Sequence, residues 1–88
     1  MRIIKISAVW CGSCIKMKNI WKELESEYGL DTVSLDYDFD EDEVKKYNVG
    51  DILPVSIFLD KNDNELYRLI GEKSKEEIIG VIKRYEEN

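Results

Sequence analysis

The chain has 88 residues, 43% of them hydrophobic and 36% charged, which fits one folded domain and leaves little room for a second core. Thirteen basic against nineteen acidic residues give a net charge of −6, which argues against nucleic acid, whose phosphates need a basic face, and against an anionic membrane surface. No stretch approaches the roughly 20 apolar residues needed to span a bilayer.

Residues 2–9 are largely β-branched and apolar, interrupted at Lys5. So continuous a run suits a central strand covered on both faces. It superficially resembles a signal peptide, but its charged start is minimal and cleavage after Ala8 would leave no first strand. A cytoplasmic location is therefore the expectation.

Trp10-Cys11-Gly12-Ser13-Cys14 follows, holding the only two cysteines. Positions i and i+3 of a helix share a face, so the two sulfurs can approach closely enough to bond. Cys11 is placed at a helix start, where free N–H groups and the positive dipole end stabilise a thiolate. A thiol that attacks a disulfide, with a second thiol to resolve it, fits this pattern. A structural zinc site wants four ligands, and one Cys-x-x-Cys in a chain without histidine supplies half of one unless two chains share the metal. Two inert, buried cysteines are the remaining alternative.

Met17, Ile20, Trp21, Leu24 and Tyr28 form a helical stripe that Gly29 stops. Residues 32–37 alternate with period two and read as a second strand, parallel to the first through a right-handed crossover. The acidic run from Asp36 to Glu43 reads as a strand end and a solvated first helical turn rather than a cation site. A short helix is expected over 41–47, with Val44 and Tyr47 inward.

Pro54 opens the strand 55–59, a position at which sheets accept proline. Asp60 to Asn64 is a turn cluster, 65–70 the returning strand, and Gly71 its end. Ser74 and Glu77 make a capping box for a last helix with Ile78, Ile82 and Tyr85 inward and Ile79 in support. The expected class is α/β, in the order β-α-β-α-β-β-α: a four-stranded mixed sheet, residues 2–9 central, helices on both faces. The cysteines then project beyond the carboxyl end of the first strand, where open α/β sheets place their sites.

At these motifs the whole chain resembles the thioredoxin superfamily, in a minimal thioredoxin-like form. Trp10-Cys11-Gly12-Ser13-Cys14 is similar to the family's Trp-Cys-Gly-Pro-Cys, and Lys46-Tyr47-Asn48-Val49 to its Lys-Tyr-Gly-Val/Ile. Leu53-Pro54 lies where the family has a cis-proline, and Gly71 where it has a glycine beside the substrate groove. The resemblance implies a cis bond before Pro54 and a recognition surface of Trp10, Gly12, Ser13, Leu53, Pro54 and Gly71. It also implies a dithiol–disulfide cycle of Cys11 and Cys14 that reduces protein disulfides, with no bound cofactor. Electrons would come from a thioredoxin-reductase-like protein or a small thiol, and a monomer is expected.

Four departures qualify the resemblance. The chain starts directly at the strand before the cysteines, a compact layout nearer to glutaredoxins and short thioredoxin-like proteins. Ser13 replaces the motif's proline, and Asn19 replaces a helix-kinking one, which implies a straighter helix. Six residues before Cys11, where thioredoxins carry a buried aspartate, stands Lys5. Either Lys5 takes over as proton acceptor for Cys14, its own pKa depressed by burial, or its stem lies along the core while its head reaches water. A glutaredoxin-like reading is weakened by Gly-Ser between the cysteines, and an oxidising or isomerising one by the missing histidine. A metal-binding module and a redox-inert peptide-binding module complete the alternatives.

Overall fold

A computed structural model describes residues 1–86. The single-domain expectation extends to residue 88, and positions 87 and 88 lie outside the described residues. The elements are β1 (Arg2–Ser7), α1 (Gly12–Tyr28), β2 (Asp31–Asp36), α2 (Glu41–Lys45), β3 (Val55–Leu59), β4 (Glu65–Ile70) and α3 (Lys75–Tyr85). This is the expected order. They build one four-stranded sheet, β2-β1-β3-β4, in which β1 pairs parallel with β2 and antiparallel with β3.

Side-chain alternation sorts the two central strands onto two cores. Ile3 and Phe58 meet Met17, Trp21 and Leu24 of α1 and Ile78 and Ile82 of α3 on one face. On the other, Ile4, Ile6, Val55, Ile57 and Leu59 pack with Val44 of α2. All five residues of β3 are buried, as a strand covered on both faces requires.

Local chemistry sets the ends of the elements. Gly29 closes α1 in the left-handed region (φ 59°), its N–H donating to the Glu25 carbonyl at 3.0 Å. Ser74 and Glu77 form the reciprocal capping box of α3. Asp60 Oδ1 accepts from the N–H groups of Asn62 and Asn64, closing the β3–β4 turn.

Three elements differ in their bounds from the sequence expectation. β2 covers Asp31–Asp36 instead of 32–37, so Tyr37 falls in the turn that follows. β1 stops at Ser7, two residues early, because the Cys11 N–H turns back to the Ala8 carbonyl at 3.1 Å; Val9 and Trp10 are exposed in that turn. α2 ends at Lys45, and Tyr47 reaches the α2-side core from the turn behind it. No described helix is long and apolar enough to cross a membrane.

Candidate functional site

The turn that ends β1 delivers Cys11 to the start of α1. Cys11 is the N-cap residue, with extended backbone (φ −92°, ψ 110°), and its Sγ accepts from the Cys14 N–H at 3.2 Å. A cap acceptor at this place faces the unpaired N–H groups and the positive end of a 17-residue helix whose first turn carries no acid. That is the electrostatic setting that favours a thiolate over a thiol. One turn on, Cys14 lies at disulfide-bonding distance from Cys11, with Cα atoms 5.3 Å apart, inside the normal range for a bridge. In this bonded form both cysteines are largely covered, Cys11 retaining 7% exposure, because Ala8, Tyr37 and Leu53 close over them.

The candidate recognition residues surround that pair. Trp10 is 61% exposed, and its Nε1–H donates to Asp38 Oδ2 at 2.7 Å while its ring meets Tyr37 edge-on. Gly12 opens α1 with free space above it, and Ser13 follows, half-buried. The Leu53–Pro54 bond is cis, as the resemblance implied. Leu53 packs on the cysteine cluster, and Pro54 shares a groove with Cys14. Gly71 adopts φ 89° and its N–H donates to the Pro54 carbonyl at 2.8 Å, so a side chain there would be strained. The β4 end is thereby fastened beside Pro54.

Lys5 points from β1 toward α1. Its ammonium pairs with Glu25 and lies 5.6 Å from the Trp21 ring centre, with the side chain 18% exposed. Thr32 Oγ1 donates to the same Glu25 oxygen at 3.0 Å. Burial works against the Glu25 charge, but the hydrogen bonds from Lys5 and Thr32 and the lysine's charge outweigh it, holding the carboxyl below its usual range. An open groove of about 620 Å³ runs beneath α1, lined by Lys5, Cys14, Trp21, Glu25, Pro54 and Ser56 among others. The ion pair and Cys14 therefore share one groove. Glu25 lies 11 positions beyond Cys14, about 16 Å of helix rise, so the pair and the sulfur are not neighbours along α1.

Three participants escaped sequence reading. Asp38 lies within the acidic run, and its long-range bond to Trp10 leaves no local mark. Glu25 sits on the helix stripe's margin, 20 residues from its lysine. Tyr37 is legible only as the last strand residue, and it lies instead in the turn after β2. Among the described residues, no three His, Cys, Asp or Glu side chains come together as a metal site.

The family model described as Thioredoxin matches residues 1–84. No curated protein matches the chain. Thioredoxin 1 of the thermophilic eubacterium Thermosipho africanus TCF52B is 25% identical, with a TM-score of 0.87 over 99% of this chain and 96% of that one. The reduced thioredoxin preprotein of Schistosoma mansoni is 28% identical, with a TM-score of 0.85 over 96% of this chain and 77% of that one. Thioredoxin NaTrxh of Nicotiana alata is 27% identical, with a TM-score of 0.87 over 96% of this chain and 71% of that one. With Cys11 capping α1, Cys14 in its first turn and a cis-proline in the same groove, the chain belongs to the thioredoxin family and carries the redox centre of a thiol–disulfide oxidoreductase.

Proposed function

We propose that the protein is a reductant of protein disulfides. The observation that carries the reading is Cys11 at the N-cap of α1, its sulfur held by the Cys14 N–H. In this scheme the Cys11 thiolate attacks one sulfur of a substrate disulfide. That S–S bond breaks, a Cys11–substrate bond forms, and the leaving sulfur departs as a thiolate that takes a proton from water. Cys14 then loses its proton and attacks Cys11 Sγ. The second substrate sulfur leaves, the substrate has gained two electrons, and the Cys11–Cys14 disulfide remains. A thioredoxin-reductase-like protein or a small thiol returns the two electrons. Trp10, Gly12, Ser13, Leu53, Pro54 and Gly71 shape the surface on which the substrate lies. We place this chemistry in the cytoplasm, on a monomer. Catalysed reduction of insulin with dithiothreitol as donor tests the reading, and no acceleration over dithiothreitol alone would remove it.

Lys5 belongs to the second step in this proposal. An ammonium already bonded to a carboxylate has no lone pair to offer, so Lys5 acts through its charge, with Glu25, on the groove that Cys14 shares. Because Glu25 balances the ammonium and the pair lies well along α1 from Cys14, its influence on the sulfur is small and acts through the local polarity of the shared groove. Lys5→Ala is expected to leave mixed-disulfide formation unchanged and to slow its resolution by about a few-fold at most, the scale of a partly exposed ion pair. Stopped-flow rates for the two steps separate these effects. An unchanged resolution rate assigns Lys5 to packing alone.

A further inference from the structure

Exposed apolar side chains crowd the redox centre: Val9, Trp10 and Ile15 flank the cysteines in sequence, and Ile52 lies against Gly71. The most exposed large apolar side chain among the described residues is Phe39, at 81%, in the turn whose Asp38 bonds Trp10. It contributes nothing to either core, yet its position is fixed. Asp36 Oδ1 accepts from the N–H groups of Asp38 at 2.9 Å and of Phe39 at 3.0 Å. The Asp36 N–H donates to Asp40 Oδ2 at 2.7 Å, and the Asp40 N–H donates to the Asp36 carbonyl at 2.9 Å. Within the same turn, Asp38 holds the Trp10 indole beside Cys11. A closed turn thus presents an aromatic ring outward while its neighbour grips the rim of the redox centre. A side chain held this way has little backbone freedom left to lose on binding.

The charge around it selects the partner. Residues 36–43 hold six acids and no base. Glu41 and Glu43 pair with Lys45 and Lys46, whereas Asp38 turns to Trp10. We propose that Phe39 anchors protein substrates beside the reactive sulfur, taking an apolar side chain flanked by lysine or arginine next to the substrate disulfide. Aromatic rings are the residues on which interface energy concentrates, and a basic neighbour gains from both the acids and the ring face. The proposal rests on the disulfide-reductase reading and names the segment that reading leaves open.

The test starts from three probes with the full chain, two synthetic peptides, each cyclised by one disulfide, and 5,5′-dithiobis(2-nitrobenzoate), and adds a glutamate-flanked version of the leucine peptide. The first two peptides differ in one residue, leucine or serine, set between lysines beside a cysteine. Wild type is expected to reduce the leucine peptide with about tenfold higher kcat/KM, and Phe39→Ser to bring the ratio near one without slowing the small disulfide. A ratio near one in wild type, or an unaltered ratio in Phe39→Ser, overturns the proposal. Glutamates in place of the flanking lysines are expected to lower kcat/KM, and equal rates would overturn the choice of a basic segment. Inactivity of wild type on all three probes would instead overturn the reductase reading itself.

Discussion

Cys14→Ser is expected to arrest the cycle at a covalent complex between Cys11 and the substrate, and Cys11→Ser to abolish the cycle before any complex forms. Both variants should lose about 10³-fold or more in insulin reduction, because each sulfur is a reacting atom and serine is a far weaker nucleophile. Their products differ, which makes the pair informative. Cys11 is the cap residue that faces the helix dipole, so Cys14→Ser keeps the attacking thiolate and loses the means of release. Non-reducing electrophoresis should show a mixed-disulfide band with Cys14→Ser and none with Cys11→Ser. The reverse pattern would exchange the two roles and contradict the capping argument.

Phe58→Ala is expected to remove most of the protein's stability. Phe58 is fully buried between α1 and α3, against Trp21, Leu24, Leu69, Ile78 and Ile82. Truncating such a ring costs about 3–5 kcal/mol, against a total of about 5–15 kcal/mol for a typical domain and the low end of that for so short a chain. Urea denaturation should show a large fall in midpoint with an unchanged slope. A loss below about 1 kcal/mol would mean that this face of the sheet is not the packed core described here.

What could be read from the sequence was set by local chemistry. Gly29, the Ser74–Glu77 box and the Asp60 turn announce themselves because their partners lie within a few residues. The alternation of Ile3 and Ile4 onto opposite cores follows from strand geometry once both faces are covered. The cysteine motif was legible because its spacing is its geometry. Val9 illustrates the opposite case: its apolar character extended the expected strand, but the turn hydrogen bond from Cys11 to Ala8 ends the strand before it. Asp38 and Glu25 could not be assigned from sequence, since each acts on a residue brought to it by the sheet, 28 and 20 positions away. Lys5 was visible as a departure, and only the folded chain supplies its carboxylate.

The reduction potential of the Cys11–Cys14 pair, measured by equilibration against defined thiol buffers, tests the reductant reading most directly. A value near or below about −250 mV is expected, close to the roughly −270 mV of thioredoxin. A value above about −200 mV would contradict it and indicate an oxidising or isomerising protein, and failure to form the intramolecular disulfide would contradict the redox centre itself.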